Sequence, residues 1–202
     1  MSQHPFLSSH FWSTLYLLDL RAADEVRLRG CRHCGGRLHC ARYPRKPRGI
    51  ARSILGDLYR ARESFCCARC RRRTTPPSLR FLGRKVYVGA LLVLFGNLTG
   101  GAAPSPSLFR SASTSTGIPA RTLKRWHQWW TETVPVTRWW RALHSSFMPP
   151  VDAATLPIAL LDRVVGADPS DRITAVLALA GPLTTRTCSH FPRVLARAHK
   201  MA

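Results

Sequence analysis

Between residues 11 and 22, in FWSTLYLLDLRA, apolar side chains recur every three or four positions: Phe11, Leu15 and Leu18, with Trp12 and Tyr16 beside them. That period predicts an amphipathic helix, a strand being the alternative. The pattern then shortens. In RLHCARY, residues 37–43, Leu38, Cys40 and Arg42 fall on one side and His39 and Ala41 on the other, as in a short strand, and YPRKPRG ends it with two prolines and a glycine. Residues 50–62 are polar and helix-compatible, and Pro76-Pro77 stops the segment that follows. Residues 84–98 predict an apolar helix, but its core, VYVGALLVLFG, is well short of the roughly 20 residues a membrane span requires.

The Gly, Pro and Ser stretch NLTGGAAPSPS reads as a linker and places a boundary near residue 100, giving segments 1–100 and 101–202. Beyond it, residues 107–130 show helical periodicity with one interruption. Leu108 and Ala112 share a face, Gly117 supplies a turn, and Ile118, Leu123 and Trp126 return to the same side, which is helix-turn-helix spacing. Pro119 suits the first turn of the second helix, expected from Pro119 to Trp130. Residues 134–147 mix aromatic and basic side chains, residues 153–180 predict further apolar helix, and no internal repeat is visible.

Charge changes this picture. Lys and Arg number 31 against 10 Asp and Glu, a net of +21, and 18 of the basic residues lie between Arg27 and Lys85 against two acids, Asp57 and Glu63. A large polyanion is the natural partner of such a surface. Almost all of these cations are Arg, whose planar fork clasps phosphate with two donors. The N-terminal residues carry no basic leader and no small-residue cleavage site, so a cytoplasmic protein without membrane attachment is expected.

The cysteines add chemistry. Cys31 and Cys34 form one C-x-x-C, Cys67 and Cys70 another, with 32 residues between them. Two thiolates separated by two residues point at one ion from a tight turn, and two such pairs make a closed tetrahedral zinc site. Gly35-Gly36 supplies the turn. Cys66, Cys40, His33 and His39 are alternative ligands. A site with four thiolates leaves no open position for catalysis, so the Zn2+ is expected to be structural, holding together a segment too arginine-crowded to fold on apolar burial alone. The expected class is therefore α+β and mainly helical: a zinc ribbon with short strands, then a helical helix-turn-helix-like region.

If the hairpin reads DNA, Arg121, Thr122, Lys124, Arg125 and Gln128 lie on or near the outward face of its second helix. Arg45, Lys46, Arg48, Arg71, Arg72 and Arg73 are the phosphate-contact candidates of the ribbon. Trp126, Trp129, Trp130, Trp139 and Trp140 invite a base-stacking role, though helically spaced tryptophans are more often core. Cys188 and His190 read as a surface or packing segment.

Together, CRHCGGRLHCARYPR, FCCARCRRRTTPP and TGIPARTLKRW resemble the zinc-ribbon and helix-turn-helix front end of bacterial insertion-sequence transposases, over roughly residues 28–130. The resemblance implies a structural zinc on Cys31, Cys34, Cys67 and Cys70, and a helix from Pro119 that helps bind the element's DNA. The chain departs from that family in lacking its acidic catalytic core. After Glu132 there remain Asp152, Asp162, Asp168 and Asp171, in contexts that turns and helix caps explain. The expectation is thus a non-catalytic, zinc-stabilised protein of double-stranded DNA associated with a mobile element, with a separately encoded transposase as a further partner. An RNA-binding or protein-interaction ribbon is the alternative.

Overall fold

The computed structural model describes residues 8–47, 55–81 and 105–185. Its first element, α1 (Ser9–Arg29), outruns the expected 11–22. Phe11, Trp12, Leu15, Asp19, Ala22, Ala23 and Val26 are all buried, so the helical stripe continues on small and β-branched side chains beyond the large apolar ones. At 1.5 Å per residue, its 21 residues extend about 31 Å. Arg27 and Arg29 sit at the negative end of its dipole, and Gly30 at φ 74° ends it.

Five short strands follow: β1 (Leu38–Cys40), β2 (Tyr43–Pro44), β3 (Ala61–Arg62), β4 (Phe65–Cys67) and β5 (Arg73–Thr74). β4 lies between β1 and β5, antiparallel to both, with Leu38 opposite Cys67, His39 opposite Cys66 and Phe65 opposite Thr74. β2 and β3 form a separate antiparallel pair. Of the helical insert expected over residues 50–62, residues 50–54 lie outside the described residues and Leu55 is helical, but the remainder departs from it. Within the described part, residues 57–59 make one tight turn after Gly56 at φ 59°, a conformation no right-handed helix contains, and Ala61–Arg62 is strand. The Tyr43–Pro44 segment, expected to break structure, is its partner. A two-residue ladder tolerates the proline's missing donor.

The second half is helical: α2 (Pro106–Thr116), α3 (Ala120–Gln128), a π-turn over Trp129–Thr133, α4 (Arg138–His144), α5 (Ile158–Leu161) and α6 (Pro169–Leu179). Ser105 caps α2, its Oγ accepting from the Leu108 N–H at 3.2 Å, and Gly117 at φ 66° terminates it. Pro119 occupies the cap position of α3, one residue before the first turn where it was placed from sequence. Asp168 caps α6 through the Asp171 N–H at 2.9 Å. The expected helix over 84–98, the linker near residue 100, Arg48, and Cys188 with His190 lie outside the described residues. The observed class is the expected one, α+β with short strands around the cysteines and helices after them.

Two apolar clusters meet along α1. Its first half contributes Phe11, Trp12 and Leu15 to a large core shared with Tyr59, Leu79, Phe81, Ile118, Leu123, Trp126, Trp130, Leu160 and Val176. Its second half gives Ala23 and Val26 to a small one with Cys31, Leu38, Phe65 and Cys67. One core thus draws residues from both sides of position 100. Trp126, Trp130 and Trp140 are buried in it, which removes them as stacking platforms; Trp139 is half-buried and donates its indole N–H to Leu179 O at 2.7 Å.

Asp19 stands in the buried stripe where the period calls for an apolar residue. Its carboxylate accepts from Ser78 Oγ and the Leu79 N–H, both at 2.6 Å, and from Arg80 Nε at 2.8 Å. Arg80, fully buried, also donates Nη1 to Leu58 O and lies 4.8 Å from the Tyr16 ring centroid and 5.1 Å from that of Phe81. The aromatic faces offset part of its lost hydration. A second buried guanidinium, Arg62, donates to Thr184 O at 2.9 Å, while Thr184 Oγ1 accepts from the Ser78 N–H at 3.0 Å. The end of the described chain is thereby fastened to the strands.

Candidate metal centre

The two C-x-x-C turns share a backbone plan. In the first, the Cys31 N–H donates to Gly36 O at 2.9 Å and the Gly35 N–H to Cys31 O at 2.7 Å. In the second, the Cys67 N–H donates to Arg72 O at 3.0 Å and the Arg71 N–H to Cys67 O at 3.1 Å. The same two bonds recur at the same offsets, and the residue after each second cysteine has positive φ, 68° at Gly35 and 60° at Arg71. This short repeat escaped the sequence because CRHCGG and CARCRR share nothing but the cysteines.

Facing each other, the turns bring four sulphurs together. Cys31 Sγ lies 3.6 Å from Cys70 Sγ and Cys34 Sγ 3.5 Å from Cys67 Sγ, and all four are within 4.8 Å of one another. Tetrahedral zinc with 2.3 Å bonds sets its sulphurs about 3.8 Å apart, close to this arrangement. Gly36 makes the approach possible. A Cβ there would come within 3.0 Å of Arg69 Cβ and 3.1 Å of Cys67 Sγ.

The backbone already favours thiolate. The Cys70 N–H points at Cys67 Sγ from 3.4 Å and, with the Arg69 N–H, holds the Cys67 thiol down to about 6 against the cost of burial. Cys31 is likewise lowered, chiefly by the His33 N–H. At Cys70 the Arg72 N–H pulls down, but burial and the neighbouring sulphurs prevail and push it up to about 12. Four thiols this close cannot all ionise without a cation to share the charge. The donor set, its spacing and these N–H groups fit a structural metal ion such as zinc, held by Cys31, Cys34, Cys67 and Cys70 and joining the two turns.

The alternative ligands point elsewhere. Cys66 lies on the opposite face of β4, its Sγ 3.4 Å from Arg71 O, with His39 across the ladder, and Cys40 is exposed. His33 Nδ1 accepts from Arg72 Nη1 at 2.9 Å. Burial, with Arg72 and Arg32 alongside, lowers the His33 pKa.

Around the cluster, Arg32, Arg37, Arg69, Arg71, Arg72 and Arg73 are all exposed. The ion pairs among the described residues lie away from them: Arg27 with Asp24, Arg29 with Glu25, Arg42 with Glu63, Arg60 with Asp57 and Arg80 with Asp19. Arg37 and Arg69 were not singled out from sequence, yet both are exposed beside the cysteine turns, and the Arg69 backbone N–H faces the Cys67 sulphur. Their place inside or beside a C-x-x-C was the available signal. Arg45 is half-buried with its guanidinium 5.1 Å from the Phe81 ring centroid, which anchors it rather than presenting it, whereas Lys46 is exposed. On α3, Leu123 and Trp126 are buried while Arg121, Lys124, Arg125 and Gln128 are exposed and Thr122 is half-buried. The hairpin therefore separates a core face from a basic one.

A four-cysteine cluster on short antiparallel strands is the arrangement of a zinc ribbon, here joined to a helical core through a shared helix. No protein family, curated protein or solved structure matches the chain. No described helix is long and apolar enough to cross a membrane.

Proposed function

We propose that the protein is a non-catalytic, zinc-stabilised binder of double-stranded DNA. The observation that carries this reading is charge segregation. Arg27 and Arg29 at the end of α1, and Arg42 and Arg60 near β3, are matched with acids, whereas Arg37, Arg69, Arg71, Arg72 and Arg73 at the cysteine turns are exposed and form no ion pair with an acid among the described residues. An uncompensated cluster of forks costs folding energy through self-repulsion, and a phosphate backbone is the partner that relieves it. The basic face of α3, opposite Leu123 and Trp126, supports a second contact, with Lys124 and Arg125 on phosphates and Gln128 within reach of base edges in a major groove. Zinc keeps the two cysteine turns, and hence their arginines, in one geometry. The resemblance of the ribbon and hairpin segments to transposase front ends supports an association with a mobile element, with the cutting and joining done by a separate protein.

The test is binding to labelled duplex DNA across a salt series, with zinc counted by elemental analysis before and after chelation. One zinc per chain, a steep loss of affinity with salt and loss of binding on chelation are expected. Preference for structured RNA over duplex would transfer the reading to RNA, and binding unaffected by metal removal would detach the cluster from it.

A further inference from the structure

We propose that Arg71 is the phosphate-contacting tip of the second cysteine turn, kept in a left-handed backbone conformation because its guanidinium is needed outside the protein. The proposal rests on the nucleic-acid reading above and assigns it a residue whose stability and binding effects have opposite signs.

Arg71 is the one non-glycine residue with positive φ among the described residues, at 60°. An L side chain is disfavoured there by contact of its Cβ with the backbone, and such strain persists where something else requires the side chain. The first turn shows the unstrained solution, Gly35 at φ 68°. A Cβ on Gly35 would meet nothing within 4 Å, so this position opens outward and packing asks for no side chain. The repeated backbone plan gives Arg71 the same exit.

The protein itself makes no use of that side chain. It is exposed and without a hydrogen bond or ion pair among the described residues, unlike Arg72, which braces the two turns by donating to His33. The peptide is pinned on both sides, its N–H on Cys67 O at 3.1 Å and its C=O accepting from Cys66 Sγ at 3.4 Å. A fixed backbone aims the guanidinium in advance, which lowers the ordering cost of one bidentate phosphate contact. Exposed Arg69 and Arg73 flank it and extend the same positive field.

Arg71→Gly and Arg71→Asn, both compatible with positive φ, test this against Arg21→Ala, which removes one exposed charge from α1. The glycine variant is expected to keep its zinc and melt about 2–4 °C higher. Its duplex affinity should fall about fivefold or more, with the slope of log K against log salt reduced by about 1. Asn should bind as weakly as Gly, and Arg21→Ala should bind as the parent does. Parent-like binding by Arg71→Gly overturns the assignment and leaves the DNA reading standing, as does an equal loss from Arg21→Ala, which would mark a diffuse field effect. Lost zinc or a lowered melting point in Arg71→Gly overturns it by showing a structural role. A parent protein that binds no duplex overturns both.

Discussion

Replacing Asp19 by alanine should be among the most damaging single changes outside the cysteines, and the structure indicates its size. Asp19 and Arg80 are 3% and 0% exposed, so neither can turn to water when the other is lost. The substitution deprives Ser78 Oγ–H, the Leu79 N–H and Arg80 Nε–H of their acceptor together. Arg80 Nη2 already has no partner among the described residues, so the guanidinium would keep one hydrogen bond, to Leu58 O. Removing one partner of a buried ion pair costs about 3–5 kcal/mol. For a protein of about 200 residues, each kcal/mol moves the melting point by about 2–4 °C, so a fall of about 6–20 °C is expected. The assay is thermal unfolding of the zinc-loaded protein, followed by circular dichroism and tryptophan fluorescence. Asp19→Asn should be nearly as harmful, because its amide turns a donor toward Arg80 or Ser78. The double change Asp19→Leu with Arg80→Met removes the stranded charge and should recover part of the loss, since apolar replacement of a buried pair is often neutral. If Asp19→Ala melts within about 2 °C of the parent, or the double variant is no better than the single, the pair does not hold α1 to the segment 78–80.

Other perturbations probe the cluster and the hairpin. Cys67→Ser should abolish stoichiometric zinc and the protease resistance of residues 31–40 and 65–74, because Cys67 bridges the turns 3.5 Å from Cys34 Sγ; retained metal would point to Cys66 as a substitute ligand. Gly36→Ala should cost about 1–3 kcal/mol and weaken zinc retention, since its Cβ would press on Arg69 Cβ and the Cys67 and Cys34 sulphurs, and an unchanged melting point would mean the turns can separate freely. Leu123→Ala, at 0% exposure, should destabilise the hairpin by about 2–5 kcal/mol in a denaturant titration. Gln128→Ala should relax sequence choice in a competition among duplexes, whereas Arg73→Ala should weaken all of them alike; equal, sequence-blind losses from both would remove α3 as a reading helix.

The cysteine turns were legible because their chemistry is written locally: two residues between ligands, glycines after the first pair, arginines around both. The hairpin was legible for the same reason, with Gly117 at the turn and Ile118, Leu123 and Trp126 buried as their spacing required. What stayed hidden depends on distant residues. α1 reads as ending near Ala22 because Ala23 and Val26 are weak apolar signals until Phe65 and Leu38 cover them. Asp19 looks like a solvent-facing interruption of the stripe, and nothing nearby announces Arg80 61 residues away. Residues 57–62 have helix-compatible composition, but the strand pairing of Arg62 with Tyr43 and its bond to Thr184, 122 residues on, outweigh that propensity.

Because α1 serves two cores, the order of synthesis leaves it half finished for a time. The cysteine cluster is complete once Cys70 has left the ribosome, and a metal ion held there would lock the small core against Ala23 and Val26. The partners of Phe11, Trp12 and Leu15 extend to Ile173 and Val176, about 100 residues later, a delay of about 5–20 s at usual elongation rates. During that interval a positively charged ribbon carries beside it an aromatic helix covered by Tyr59, Leu79 and Phe81 but not yet by the later helices. The nascent chain is most open to wrong partners then, and a chaperone or early nucleic-acid contact would matter most.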